Sequence, residues 1–548
     1  NFNNESSFYF ELNPKPSDYY LEITNFNTGN VAPRLYDFST NTYLIGDISI
    51  SGKVRFLIPA SNDIKSLLLQ SNAAANYSAV NALQAVTFKN YTNTSNQGDY
   101  IIVSHKAYMD DGTGHNYLDD YKTYRSSAKG GNYQAIVADV QDVYNEFGYG
   151  YNMSTLAIKN FLKYAAKSPN WSFSPKHVFM VGKGISYAFY PTYFATPYST
   201  FPFHALPSFG DPCSDVLMTD FDINNRPLIS IGRIPVMNGL EIRDYLQKIK
   251  DHEDQVFNLS NQVSDSTLWK KRVLHLAGTK DAAEQASIVN ALNSQANIIT
   301  KPLFGGNVTL LKKGTTTDVE TANSKLLDNL FNTGVSLIQF FGHSSSSTMD
   351  YNLDFPNNYK NYKKYPVFIA NGCSAGDMFI LQGKRSLGEE FVFAPNGASI
   401  AFIASDNTGY TNYLSIYTDS LYYRFANSKY GATLGEQIQN NVNSMMGVPS
   451  LASNGGFRTH TEQIGLNGDP ATMMFNFPKP DYAVEDKGVN FKQLNLTTSL
   501  DSLDVEIVVH NLGRYQYDTV ELTVTRTLPN NVTEVVLNKS YVGIANTD

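Results

Sequence analysis

Two turns in the sequence carry the residue types best suited to covalent chemistry. "LIQFFGHSSSSTMD" runs from Leu337 to Asp350, and "YPVFIANGCSAGD" runs from Tyr365 to Asp377. Each is an apolar run that stops at small residues. The first turn holds His343, and the second holds Cys373, one of only two cysteines in the chain. A thiol beside an imidazole is a nucleophile with its base. The thiolate attacks a carbonyl, and the imidazolium then protonates the leaving amine. Backbone N–H groups at the two turns, at Ser344 and Gly372, would hold the oxyanion. The small neighbours let a substrate backbone approach closely. His105, behind the run "YIIVS", is the nearest competitor for the base. The competing reading is a core histidine and a core cysteine that punctuate two buried strands.

A sheet must deliver such a pair, because ligands of open α/β sheets bind beyond the carboxyl ends of the strands. From Gly98 onward, apolar runs alternate with amphipathic helices. The expected strands are "YIIVS", "QAIVAD", "VFMVG", "LISIG", "VLHLA", "VSLIQFF", "VFIA" and "SIAFIA". The helix "STLAIKNFLKYAAK" places Leu156, Ile158, Phe161, Leu162 and Ala165 in an apolar stripe, with Ser154 as N-cap. Continuous apolar runs between helices point to a parallel sheet covered on both faces. Two α/β units, residues 96–260 and 261–478, fit the spacing, and the interval from His343 to Cys373 accommodates one helix and a loop. Residues 1–95 show short period-two runs and read as a β-rich domain. Residues 479–548 show alternating strands joined by turns and read as a small β-sandwich-like module that is expected to continue past the last residue. The fold class is multidomain α/β with β modules at both ends.

A chain of 548 residues is too long for one core. Its net charge of -8, with no basic run carrying interleaved aromatics, argues against a nucleic-acid partner. No window is apolar for long enough to span a bilayer as a helix. The chain opens "NFNNESSFYF", with neither an initiator Met nor a leader, as a mature secreted protein or a trimmed segment does. Two cysteines cannot build a disulfide framework, and Cys213 reads as a structural thiol. Asp220, Asp222 and Asn224 in "DFDINN" place oxygen donors at alternate positions, half of a calcium-loop pattern without its glycine and closing glutamate. A solvated loop is the favoured reading there, and the chemistry needs no cofactor.

The residues resemble the gingipain family of clan CD cysteine peptidases. The family's strand ending in Gly-His is matched by Gly342-His343, and its later strand ending in a small residue plus Cys by Gly372-Cys373. "DVQDVYNEFGYG", "SDVLMTDFD" before "ISIGRIPV", and "GLNGDPATMMF" are similar to further family segments in the same order. The resemblance implies a caspase-like α/β core in two subdomains with an immunoglobulin-like domain behind it. It implies a cysteine peptidase or transpeptidase, secreted or at the cell surface and outer-membrane associated, of the Bacteroidetes type IX secretion kind. That family includes secreted endopeptidases and the PorU-type sortase. The expected partners are peptide or protein substrates and outer-membrane secretion proteins, and structural calcium is known in the family. The resemblance also implies an acid just before "ISIGRIPV" to support the histidine. Leu228 occupies that position, so Asp220 or Asp222 is expected to serve. Tyr410 and Tyr413 correspond to the wall of the primary substrate pocket. A catalytically degenerate scaffold subunit is the alternative.

Overall fold

The computed structural model describes residues 2–77, 85–110, 112–190, 206–222, 226–257, 267–314, 317–380, 385–484, 488–492 and 502–545. Contacts divide the chain into two compact units, Asn1–Thr87 and Phe88–Asp548.

The first unit is antiparallel. β1 (Ser7–Leu12), β3 (Arg34–Asp37), β4 (Thr42–Ile45) and β6 (Lys65–Gln70) form one sheet in the order β1-β6-β3-β4. β2 (Tyr19–Thr24) pairs with β5 (Lys53–Ile58). Alternate residues Val54, Phe56 and Ile58 of β5 and Leu67 and Leu69 of β6 are buried, which explains the period-two pattern.

The second unit is built on one ten-stranded sheet. Its strands are β7 (Tyr100–Ser104), β8 (Ala135–Asp139), β9 (His177–Val181), β10 (Ser230–Ile234), β11 (Arg272–Ala277), β12 (Asn307–Lys312), β13 (Leu337–Phe341), β14 (Val367–Asn371), β15 (Ala401–Ser405) and β16 (Ile464–Asn467). They lie in the order β12-β11-β13-β14-β15-β16-β10-β9-β7-β8. Every neighbouring pair is parallel except β15 with β16. The two α/β units expected from sequence are thus halves of one sheet running in opposite directions, and β16 joins them. Both faces are covered, because successive side chains of a strand enter different cores. In β7, Tyr100 and Ile102 pack into one apolar cluster, and Ile101 and Val103 into another.

The helix Thr155–Lys167 is capped by Ser154, whose Oγ accepts the Ala157 N–H at 3.2 Å. It buries Ala157, Ile158, Phe161, Leu162 and Ala165, while Leu156 is 58% exposed. Leu156 therefore leaves the expected stripe, since two residues before Ile158 is the opposite side of a 3.6-residue turn. Lys248, in the helix Gly239–Phe257, is buried and donates to the carbonyls of Val392, Ala394, Gly397 and Ser399 at 2.9–3.0 Å. It fastens that helix to the chain leading into β15.

β16 is tied down by charge. Arg125, at the end of the helix Tyr117–Ser126, is 1% exposed. Its Nη2 and Nε donate to Asp469 Oδ2 at 2.6 and 2.8 Å, and its Nη1 donates to Glu253 Oε1 at 2.7 Å. Tyr121 and Tyr124 donate their hydroxyls to the same two carboxylates, each at 2.5 Å. Asp469 lies in the "NGDP" turn directly after β16, so the network fixes the strand that unites the sheet.

Beyond Pro480, the described residues form three two-stranded antiparallel ladders. β17 (Tyr482–Ala483) pairs with β20 (His510–Asn511), and β18 (Val489–Phe491) with β19 (Val505–Ile507). β21 (Thr519–Thr527) pairs with β22 (Thr533–Val542). Among the described residues, no helix is long and apolar enough to cross a membrane.

Candidate active site

β13 and β14 are adjacent and parallel, with Phe341 opposite Asn371. The Gly342 N–H continues the ladder onto Asn371 O at 3.1 Å. His343 and Cys373 therefore leave the sheet at the same level, each two residues beyond a paired position. The small residues there answer to crowding. A Cβ on Gly342 would lie 2.9 Å from Gly278 Cα, and one on Gly372 would lie 2.0 Å from Ser344 Oγ. Ser344 keeps a negative φ and donates its hydroxyl to Cys373 O at 2.8 Å, so it fastens one turn to the other.

The thiol is held by the loop after β15. Cys373 is half-buried, and Gly409 donates its N–H to Sγ at 3.4 Å. Ser374, at φ +53°, donates its N–H to Asn407 O at 2.8 Å. Gly409 must be small, since a Cβ would sit 2.8 Å from Gly372 O. An amide N–H on sulfur stabilises the thiolate. The amide seen on Sγ is thus that of Gly409, a different role from the oxyanion donors expected at Ser344 and Gly372.

The carboxylate beside His343 is Glu284. His343 Nε2 lies 3.0 Å from Glu284 Oε1 and 3.2 Å from Oε2. An ionised carboxylate only accepts, so Nε2 carries the proton and Nδ1 is left as the basic nitrogen. Glu284 sits in the first turn of the helix Ala282–Ile299, where its N–H is capped by Asp281 Oδ1 at 2.8 Å. Thr279 donates its hydroxyl to Glu284 Oε2 at 3.0 Å. Asp350, which is paired with Lys313, accepts the Thr279 N–H at 3.1 Å and donates its own N–H to His343 O at 2.8 Å. The imidazole, its acid and the loop between them form one connected unit.

Asp220 and Asp222 do not take that role. Asp220 is buried, forms a bridge with Pro227, and accepts the Asp222 N–H at 3.1 Å. Asp222 pairs with Lys167 at 2.7 Å. Both belong to the segment entering β10, whereas His343 is reached from the turn after β11. Asn224 lies outside the described residues, and the Lys167 pair engages one of the other two donors of the calcium-like loop. Among the described residues, no group of three or more His, Cys, Asp or Glu side chains is placed to hold a metal ion. His105 caps a short turn, its Nδ1 accepting the Ala107 N–H at 3.1 Å. Cys213 is 1% exposed against Met378 and Phe379, and burial pushes its thiol well up from the ordinary range. It acts through its backbone, donating its N–H to Asp406 Oδ2 at 3.0 Å.

Tyr410 and Tyr413 adjoin Gly409, and their ring centroids are 6.2 Å apart. Tyr410 is 58% exposed. A cavity of about 920 Å³ opens elsewhere, around Tyr124, Lys129, Gln247 and Lys250, and its lining includes no residue of this site.

A histidine and a cysteine at the ends of adjacent parallel strands form an arrangement suited to a cysteine peptidase. The model of peptidase family C25 matches residues 93–475, and the chain belongs to that family. Among solved structures, it is similar to the crystal structure of the Arg-specific cysteine proteinase gingipain R, RgpB. Identity is 15% and the TM-score 0.51, over 83% of this chain and 92% of that one. A complex of the Porphyromonas gingivalis RgpB pro- and mature domains gives 14% and 0.52, over 82% and 93%. Dimeric latent PorU from Porphyromonas gingivalis gives 14% and 0.41, over 97% of this chain and 47% of that one. No curated protein matches the chain.

Proposed function

We propose that the chain is an active cysteine endopeptidase in which Cys373 is the nucleophile, His343 the general base and acid, and Glu284 the acid that orients the imidazole. The observation that carries this reading is the His343–Glu284 pair, at the end of the strand next to the one that delivers Cys373. A scaffold has no use for a carboxylate held on an exposed imidazole. In the reaction, His343 Nδ1 takes the thiol proton and Sγ attacks the scissile carbonyl. The turn amides of Ser344 and Gly372 are assigned to the developing oxyanion, which needs such donors. Collapse of the tetrahedral intermediate breaks the C–N bond, and the imidazolium protonates the amine that leaves. Water then resolves the thioester to acid and free thiol.

The finer reading is a secreted or cell-surface enzyme, outer-membrane associated, that serves type IX secretion by acting on the C-terminal signals of cargo. An acceptor amine in place of water would then make it a sortase, forming a new amide and releasing the thiol. Tyr410 and Tyr413 are assigned to the primary pocket, and calcium, where present, is structural. A peptide acyloxymethyl ketone is expected to modify Cys373 and leave Cys213 untouched, as read by peptide mass mapping. Modification of neither thiol rules the enzyme out. Adding a primary amine to the acylated enzyme separates the two fates, because a sortase yields an amide product and a hydrolase yields only acid.

Glu284→Gln is expected to lower kcat/KM by about 10- to 100-fold. That is less than the ~10⁴ loss when a buried triad carboxylate is neutralised, because the Glu284 side chain is 35% exposed and water replaces part of its effect. Asp220→Asn, made in parallel, leaves the rate within about twofold, since that carboxylate is engaged elsewhere. Equal losses in both variants remove Glu284 from the mechanism.

A further inference from the structure

His460 lies outside every motif discussed so far, yet it touches the loop that holds the thiol. Asn454 caps the helix Gly455–Gln463, its Oδ1 accepting the Phe457 N–H at 3.1 Å. His460, one turn further on, is 5% exposed. Its two ring nitrogens have partners of opposite kind. Nδ1 lies 2.8 Å from Gly456 O, a carbonyl that only accepts, so Nδ1 carries the proton. Nε2 accepts the N–H of Tyr410 at 2.9 Å, and a backbone N–H only donates, so Nε2 is bare. One neutral tautomer is therefore specified from both sides. Tyr410 directly follows Gly409, whose own N–H points at Cys373 Sγ at 3.4 Å. The rings of Tyr410 and Tyr413 each lie 5.1 Å from the imidazole.

We propose that His460 is a positioning residue for the nucleophile. By accepting the Tyr410 N–H, it fixes the 409–410 backbone so that the Gly409 N–H stays on Sγ and stabilises the thiolate. The assignment rests on Cys373 being the nucleophile. Protonation of His460 would set an Nε2–H against the Tyr410 N–H and release the loop, so the arrangement also makes thiol reactivity acid-sensitive. Burial already pushes His460 below the ordinary imidazole range, while its bond to Gly456 O acts the other way. The neutral form therefore persists until the pH falls below that range. The groups facing the ring from neighbouring elements are the phenols of Tyr410 and Tyr413. On its own helix, Arg458 and Glu462 pair with each other at 3.8 Å. On the loop, Asp406 is taken by the Cys213 N–H.

The test is the rate of Cys373 alkylation by iodoacetamide against pH, followed by mass mapping, in the unmodified protein, His460→Leu and His460→Gln. Leucine fills the space without an acceptor, whereas glutamine returns an acceptor near the Nε2 position. His460→Leu is expected to move the midpoint of the profile up by about one pH unit, a tenfold loss of thiolate on the acid limb. His460→Gln is expected to return it to within a few tenths of a unit. An unmoved midpoint in His460→Leu overturns the proposal, as does an equal shift in both variants, which marks a merely structural histidine. Nitrogen-15 spectra of histidine-labelled unmodified protein test the same point without any variant. The Nδ1–H tautomer at His460 is expected at neutral pH, and the Nε2–H tautomer overturns the assignment. If Cys373 in the unmodified protein reacts no faster than Cys213, the nucleophile reading falls with it. Normal Cys373 reactivity beside an unchanged His460→Leu profile removes His460 alone.

Discussion

Cys373→Ala is expected to lower peptide hydrolysis by about 10⁶-fold, the scale on which loss of a covalent nucleophile registers. The residue has no group that replaces it. Cys213 is buried against Met378 and Phe379, and burial holds its thiol protonated. The Ser344 hydroxyl is committed to Cys373 O at 2.8 Å. The folded state should tolerate the change, because Sγ contributes only two weak bonds, from the Gly409 N–H at 3.4 Å and to the Gly409 carbonyl at 3.8 Å. The measurement is steady-state turnover of an unstructured protein substrate, with circular dichroism confirming an unchanged fold. Residual activity within about tenfold of the unmodified protein would place the chemistry on another residue and end the cysteine-peptidase reading.

Arg125→Met is expected to destabilise the second unit by about 3–5 kcal/mol. The guanidinium is 1% exposed and answers two carboxylates, Asp469 and Glu253, which are 0% and 4% exposed as side chains. Methionine fills much of the volume but leaves both negative charges buried without a cation, with the Tyr121 and Tyr124 hydroxyls and the Ala471 N–H as their remaining donors. The urea midpoint at unchanged m reads the loss. The deficit also has a sign with pH. Burial holds the Glu253 carboxyl above its ordinary range even with Arg125 present. Removing the cation raises it further, so the variant's native state binds protons more readily than its unfolded state. Its stability deficit therefore shrinks as the pH is lowered towards and below the carboxylate range. Arg243→Met removes an exposed pair with Asp244 and is expected to cost under about 1 kcal/mol. If the Arg125 and Arg243 variants lose equally, the buried network is not what holds β16 in place.

The ends of β13 and β14 are legible from sequence because a strand boundary is local. "LIQFF" and "VFIAN" are short apolar runs that end in glycine-bearing turns, and a strand buried on both faces has to look like that. Matching strand ends put His343 and Cys373 on one edge without knowledge of anything between them. The helix stripe failed only at Leu156, where an apolar residue on the solvent side of the first turn carries no mark of its exposure. The two α/β units are legible from the alternation of strands and helices, but their union in one sheet is not, for a topological reason. Nothing in "IGLN" states that this strand runs antiparallel to β15 and parallel to β10, and that choice turns two sheets into one.

The sequence by itself determined the class of chemistry, the two residues proposed to perform it and the strand ends that carry them. Those properties follow from residue type and short-range periodicity. Only the tertiary structure decided what surrounds them. Glu284, Gly409 and His460 are far from His343 and Cys373 along the chain, and none belongs to a motif that announces a role. An acid in the first turn of a helix reads as a favourable helix start, a glycine in a loop as a turn, and a lone histidine as core. Each acquires its part because folding brings the end of β11, the loop after β15 and the helix before β16 to the edge where β13 and β14 end. Meetings between such distant segments are set by sheet order and packing, which local sequence does not encode.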